Sequence, residues 1–341
     1  MAYPAFRKIL AVRIGPIGDM VMITPALRAM LDHFGEASVD VLTSRLGAKT
    51  LANFDSRIRN FHVLERRHFL YPLHKKRMIG LLRDEDYDAV FCFEANPNIH
   101  RYFTDFRARL FVPAPDFSGH ASQASLDCVA RGMGAASGVL GRERYPLNLP
   151  VDPEAARVVD MQLEEMGIPK SRTLIGLHPS FGGKERLVGR LRYSTHNAWP
   201  SSYWARLAEL IAKEIPGAPV LMRILPGDRK TAEEIEKLSG GAATPWISSA
   251  DFELYKAYLR RVNVFITPNS GPMHVAAATG CPKIIALFSR ELPEQNGPFI
   301  SPDRYSVIRA ETCRTPGEGL ASIMPEEVLD TAVNAMHKLR Q

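Results

Sequence analysis

The feature that most constrains this chain is a rhythm that starts twice. Short apolar runs rich in β-forming residues alternate with amphipathic stretches of helical spacing. In the first half the runs are KILAVRI, SVDVLTS, IRNFHVL and DAVFCFE, with VMITPALRAML and a stretch near Leu73 to Leu82 carrying helical spacing between them. Strands separated by helices predict a parallel sheet wound with helices. The rhythm breaks at RYPLNLPVDPEAA, a proline-marked polar segment that predicts a linker around residues 147–170. It resumes with TLIGLHPS, a helix from Ser201 to Ile215, APVLMRILP, a helix after Asp228, another around Phe252 to Arg261, VNVFITP, a helix opening at Gly271, and KIIALFS. The expectation is an α/β chain with two Rossmann-like domains of parallel strands, 1–155 and 156–325, and a C-terminal helix over 326–341. Open parallel sheets take ligands at the carboxyl ends of their strands, which places the expected site in a central cleft faced by both sheets.

The 341 residues, 45% of them hydrophobic, suffice for two cores. No apolar run approaches the roughly 20 residues that span a bilayer, and MAYPAFRKIL lacks the pattern of a signal peptide, so a cytoplasmic chain is expected. Cys92, Cys128, Cys281 and Cys313 are scattered, without metal or redox spacing, and read as reduced structural thiols. A formal net charge of +6 fits nucleic acid, an anionic membrane surface or phosphorylated substrates, and composition alone does not choose among them.

Three junctions carry the chemistry. In Arg13-Ile14-Gly15-Pro16-Ile17-Gly18-Asp19 two glycines allow a tight turn, and a carboxylate in the first turn of the next helix is favoured by the helix dipole. Asp19 reads equally as a helix cap or as a catalytic group; the spacing is not the G-x-G-x-x-G of dinucleotide sites. In Thr267-Pro268-Asn269-Ser270-Gly271-Pro272-Met273-His274 a strand ends in a Ser-Gly turn and a helix starts, which leaves backbone N–H groups available to an anion. His274 could add a hydrogen bond, although a lone His in such a helix is more often packed or superficial. The third junction, Gly176-Leu177-His178-Pro179-Ser180-Phe181-Gly182-Gly183 with Trp199-Pro200 beyond it, is a weak signal alone.

GDMVMITPALRAML, LHPS followed by AWPSSYWARLAELI, and NSGPMHVAAATGCPKIIALFS resemble, in order and spacing, the motifs of glycosyltransferase family nine, which contains the lipopolysaccharide core heptosyltransferases. The resemblance spans Lys8 to Pro298, and its most specific block is S-G-P-M-H-x-A-A-A. It implies the two-domain GT-B fold, ADP-heptose bound mainly by the carboxyl-terminal domain, and an acceptor held against the amino-terminal domain. By the same resemblance Asp19 is the general base, with Gly18 beside the acceptor. Ser180, Lys184, Asn269, Ser270, Gly271, Pro272, Met273 and His274 fall on the donor site, and Asp228 sits near where the family presents an acid to the ribose. Two positions depart from the family: Asn269 stands where an aspartate is usual, and Asn197 where a lysine precedes the Trp-Pro. Lys184, Arg186, Arg190 or Arg192 could replace that lysine, or form a solvated basic loop.

Asp84-Glu85-Asp86 has the form of a metal-binding Asp-x-Asp but reads as a solvated turn, so no metal and no cofactor beyond the nucleotide sugar is expected. The basic run Arg57, Arg59, Arg66, Arg67, Lys75, Lys76, Arg77 and Arg83 is either a solvated face or the receiving surface of an anionic acceptor, with Arg66, Arg67, Lys75 and Lys76 as acceptor contacts. The expected activity is inverting, metal-independent transfer of a heptose or related sugar to a lipopolysaccharide core or lipid-linked acceptor. The expected partners are that donor, that acceptor and, peripherally, the cytoplasmic face of the inner membrane through YPLHKKRMIGLL, with no nucleic acid. The rival is a non-catalytic nucleotide-sugar binding protein that kept the fold; a nicotinamide oxidoreductase is disfavoured by the missing fingerprint.

Overall fold

Residues 8–12, KILAV, form a strand in which four of five side chains are buried, and such a strand is stable only with partners on both edges and helices on both faces. The computed structural model describes residues 6–65, 71–115, 119–179, 184–187, 190–193, 198–310 and 319–340, with 184–187, 190–193 and Arg340 described by backbone alone. The chain forms two compact units, Met1–Pro150 and Val151–Gln341.

In the first unit the strands are β1 (Lys8–Val12), β2 (Ser38–Thr43), β3 (Ile58–Val63), β4 (Ala89–Cys92) and β5 (Leu110–Pro113). They pair in parallel in the order β3-β2-β1-β4-β5, so the first strand is central and the chain reverses its winding between β1 and β4. On one face Leu10, Val12, Val90 and Cys92 pack with Ile79 and Leu82 of the helix Tyr71–Arg83 and with Phe103 and Phe106. On the other face lie the helices Thr24–His33 and Ala121–Gly132. Gly132 lets the latter press onto β4, since a Cβ there would lie 2.3 Å from the Phe91 ring.

In the second unit the strands are β6 (Ile175–Leu177), β7 (Lys184–Leu187), β8 (Arg190–Tyr193), β9 (Val220–Ile224), β10 (Ala243–Ile247), β11 (Val264–Pro268), β12 (Lys283–Phe288) and β13 (Tyr305–Arg309). Six of them form a parallel sheet in the order β10-β9-β6-β11-β12-β13, again with the first strand inside and the reversal beside it. Strands β7 and β8 pair antiparallel as a separate hairpin, with Lys184 opposite Tyr193 and Leu187 opposite Arg190, where the sequence suggested a basic loop. Trp199 is fully buried, meets Trp204 edge-on at 4.7 Å and donates from Nε1 to Ile323 O at 2.9 Å, so the Trp-Pro motif anchors the helix Ser201–Glu214 to the end of the chain. The terminal helix Pro325–Arg340 packs on that helix.

The segment expected as a linker contains the helix Pro153–Glu165. Asp152 caps it by accepting from Glu154 N, proline opens its first turn, and Ala155, Val159 and Leu163 bury one stripe against the helix Phe252–Arg261. Proline here starts a helix; polarity hid the stripe. Among the described residues no helix is long and apolar enough to cross a membrane. Cys92, Cys128 and Cys281 are buried free thiols, and burial pushes Cys92 and Cys281 each up to about 12, which leaves them inert; Cys313 lies outside the described residues.

Arg57, from the basic run, is occupied structurally. Its Nε and Nη2 donate to the two carboxylate oxygens of Asp55, each at 3.0 Å, its Nη1 donates to Leu31 O at 2.6 Å, and Arg28 adds a bond to Asp55 at 2.9 Å. The hydrogen bonds from Arg57 outweigh the cost of burial and hold the Asp55 carboxyl at about 2. Asp55→Asn should therefore lower the unfolding free energy at pH 7 by ~1–3 kcal/mol. The carboxylate contributes fully above its unfolded pKa, 3.8, and the contribution is lost as pH falls toward about 2. Urea titrations at pH 7 and pH 3 should show the gap between wild type and variant shrinking at the lower pH; an equal gap at both would contradict the ion-pair assignment.

Candidate functional site

Ligands bind parallel α/β sheets where the winding reverses, because two neighbouring loops there leave in opposite directions and open a crevice at the carboxyl ends of the strands. In the first unit that point lies between β1 and β4. Arg13 follows β1 directly and its side chain joins both strands: Nη1 donates to Phe93 O at 3.0 Å and Nη2 meets Asp19 Oδ2 at 2.9 Å. Asp19 is in the first turn of the helix Ile17–Met22, whose N-cap is Pro16, so its carboxylate is not the cap; it is held by Arg13 and stays 31% exposed.

Gly15 is required by this arrangement. A Cβ there would lie 2.5 Å from Asp19 Oδ2 and 2.6 Å from Asp19 Cβ, closer than any side chain tolerates. Ser44 fixes the same turn by donating to Gly15 O at 2.7 Å, and its hydroxyl accepts from Gly47 N at 3.0 Å to cap the helix Arg45–Leu51. Glu94, buried at the end of β4, accepts from Ile14 N at 2.6 Å, and His100 Nε2 donates to Glu94 O at 2.6 Å. Sequence reasoning missed Arg13, Ser44 and Glu94 as parts of this edge. Arg13 was within the quoted motif, whereas Glu94 reads as the polar end of a strand and only the pairing of β1 with β4 brings it to Ile14. Gly18 is buried in the helix.

In the second unit the reversal lies between β6 and β11, and three sequence motifs meet there. His178 extends β6, donating its N–H to Ile266 O at 3.0 Å. Desolvation pushes its imidazole down to about 4, so it is neutral at ordinary pH and offers a hydrogen bond, not a charge. At the end of β11 the Thr267 and Ser270 hydroxyls lie 3.2 Å apart, Asn269 N donates to Leu287 O at 2.9 Å, and the helix Gly271–Thr279 begins. Asp228 stands at the neighbouring end of β9, as N-cap of the helix Arg229–Leu238. His274 is buried, with 4% of its surface exposed.

One expectation changes. Met273 is fully buried and its N–H donates to Ser270 O at 3.1 Å, and Pro272 has no N–H, so among the described residues the N–H groups left to an anion are those of Ser270 and Gly271. Ser180, Asn197, Arg66 and Arg67 lie outside the described residues, as do the side chains of Lys184, Arg186, Arg190 and Arg192. Lys75 is not a free cation: its Nζ donates to Tyr102 OH at 2.6 Å and rests 4.4 Å from the Tyr102 ring centroid, which leaves Lys76 and Arg77 exposed beside it. Asp84, Glu85 and Asp86 are exposed at the amino edge of the first sheet, with Glu85 on Lys8 at 2.5 Å, opposite to the edge that carries Asp19.

Residues 192–316 match the model of glycosyltransferase family 9 (heptosyltransferase), a span that includes Asp228 and the loop 269–274. No curated protein sequence matches the chain significantly. The fold is that of solved heptosyltransferases. The glycosyl transferase family 9 structure from Veillonella parvula superposes with a TM-score of 0.78 at 16% identity, covering 99% of each chain. The E. coli ADP-heptose lps heptosyltransferase II gives 0.72 at 17%, over 98% of this chain and 100% of that one. E. coli heptosyltransferase WaaC with ADP gives 0.68 at 15%, over 96% and 99%. The family match supports a glycosyltransferase, and these solved structures show the fold.

If Ser270 and Gly271 receive a diphosphate, Gly271→Val should weaken ADP binding at least tenfold, because a branched side chain blocks close approach to the backbone. Calorimetric titration of ADP into wild type and the folded variant checks it; equal affinities would remove this loop from the site.

Proposed function

We propose that the chain is an inverting, metal-independent glycosyltransferase that moves a heptose or related sugar from a nucleotide diphosphate donor, in the first instance ADP-heptose, to a hydroxyl of an anionic lipopolysaccharide core acceptor. The observation that carries this reading is Asp19: a partly exposed carboxylate at the winding reversal of the first sheet, fixed by Arg13 over a position that only glycine can occupy.

In the proposed reaction Asp19 takes the proton from the acceptor hydroxyl as that oxygen forms a bond to the anomeric carbon. The bond from that carbon to the diphosphate breaks on the opposite face, and its electron pair leaves with the nucleoside diphosphate. The leaving charge is met by the N–H groups of Ser270 and Gly271, by the positive end of the helix Gly271–Thr279, and by His274. Neutral His178 can orient donor oxygens without competing for the charge. Asp228 faces the ribose in this scheme. Lys184 or a neighbouring basic residue of the β7–β8 hairpin supplies a cation, Ser180 and Asn269 complete the donor contacts, and Lys76 with Arg66 and Arg67 faces the acceptor.

Arg13 has a defined part here. Its second hydrogen bond, to Phe93 O, fixes the guanidinium and therefore the direction from which Asp19 is held, leaving the other carboxylate oxygen for the acceptor proton. Asn269 is the observation that favours the rival, a protein that binds nucleotide sugars without transferring them, because an amide in place of a carboxylate changes the charge beside the donor. Turnover decides between the two.

Asp19→Asn should lower transfer by about 10²- to 10⁴-fold and leave ADP affinity unchanged, since the base acts on the acceptor. Gly15→Ala should produce a similar loss of kcat by displacing the same carboxylate, in a chain whose melting temperature shows it folded. A variant at Asp19 that turns over normally would end the assignment. Transfer should survive chelation by EDTA, and a strict Mg²⁺ requirement would contradict the metal-free scheme.

A further inference from the structure

Where β1 and β4 part, two side chains stand in place of a rung of the sheet, and both lead toward Asp19. In a parallel ladder, a residue that donates to one residue of the neighbouring strand accepts from the residue two places further along it. Phe93 N donates to Val12 O at 2.9 Å, so the next rung would run from Ile14 N to Phe93 O. Side chains take both ends instead. Glu94 Oε1 accepts from Ile14 N at 2.6 Å, and Arg13 Nη1 donates to Phe93 O at 3.0 Å. On the other edge of β1 the ladder continues, with Arg13 N donating to Leu42 O at 3.0 Å.

We propose that Glu94 is a positioning residue for the transfer reaction: by drawing Ile14 N out of the ladder it leaves Phe93 O to Arg13, and so sets the guanidinium that holds Asp19. The inference rests on the reading of Asp19 as the general base. Glu94 is 5% exposed, and a carboxylate so placed is stable only where hydrogen-bond donors meet it. Its own backbone is fixed, since His100 Nε2 donates to Glu94 O at 2.6 Å. Ser44, just after β2, donates to Gly15 O at 2.7 Å, so the turn is held from both neighbouring strands.

The consequence for Asp19 is geometric. Arg13 Nη2 meets Asp19 Oδ2 at 2.9 Å, and the guanidinium is a rigid plane, so the bond from Nη1 fixes the direction of the other. Without Glu94, Ile14 N would return to Phe93 O, Arg13 would lose its anchor, and Asp19 would turn with it. A misplacement of about 1 Å can cost about 10²-fold in rate. What the rung asks of Glu94 is reach, not charge.

Two substitutions separate the two. Glu94→Gln keeps an acceptor oxygen at the same length, and Glu94→Asp keeps the charge one methylene short of Ile14 N. Transfer is measured from ADP-heptose to a truncated lipopolysaccharide core, with melting temperatures showing each chain folded. Glu94→Gln should keep most of kcat; Glu94→Asp should lower it about 10- to 100-fold, with ADP affinity and acceptor KM unchanged. In an Asp19→Asn chain the further change Glu94→Asp should cost little more, because its effect runs through Asp19, whereas a merely structural defect would multiply the two losses. A crystal structure of Glu94→Asp should show Ile14 N on Phe93 O and Arg13 off it. The inference is overturned if Glu94→Asp turns over as wild type does, if Glu94→Gln loses as much as Glu94→Asp, if the losses multiply, or if Arg13 stays on Phe93 O in the variant crystal. Normal turnover by Asp19→Asn would end the general-base reading and the catalytic part of this proposal with it, while the crystal structure would still decide the rung.

Discussion

Everything in this protein follows from the position of two strands. β1 and β6 come first in their units and end inside their sheets, because a strand buried on both faces and hydrogen-bonded at both edges is the most stable use of such apolar sequence. Once the first strand is internal, later strands must be laid on either side of it, and the chain must reverse its winding beside it. Each reversal opens one edge position to solvent, and the polar side chains that follow β1 and β6 are the ones that occupy it. Asp19 and the His178 and Ser270 group are thus consequences of topology as much as of local motif.

The two edges differ in how they manage charge. At the first, a carboxylate is held by a guanidinium, itself anchored to a strand-end carbonyl, and the turn between them is packed so closely that glycine is required. At the second, the groups beside β6 and β11 are uncharged, two backbone amides, paired hydroxyls and an imidazole kept neutral by burial, and the carboxylate of Asp228 stands at the neighbouring end of β9. Such a site stabilises negative charge through oriented dipoles, which cost little reorganisation as charge develops. In the proposed reaction the Asp19 edge suits proton transfer and the Ser270 edge suits a departing diphosphate.

Much of this was legible in the residues. The alternation of strand and helix signals located most elements, and glycine or Ser-Gly at the strand ends marked both edges. What stayed hidden depended on pairing between distant segments. Glu94 looks like the polar end of a strand until β4 lies beside β1 and its carboxylate reaches Ile14 N. Arg57 and Lys75 belong to one basic run in sequence, yet Asp55 takes the first and Tyr102 the second, while Arg59, Lys76, Arg77 and Arg83 are exposed. The helix Pro153–Glu165 was concealed because its buried stripe, Ala155, Val159 and Leu163, is sparse and the proline that opens it, after the Asp152 cap, reads as a linker signal. Burial of Met273, with its N–H turned to Ser270 O, is likewise a matter of how tightly one helix begins.

The central claim is a single displacement in which the acceptor oxygen, deprotonated by Asp19, attacks opposite the departing diphosphate. The anomeric configuration of the product tests it most directly. Proton NMR of the glycoside formed from an ADP-sugar of known configuration should show inversion at the transferred carbon, as one in-line substitution requires. Retention would demand a second displacement and a covalent intermediate, and it would contradict the role given to Asp19.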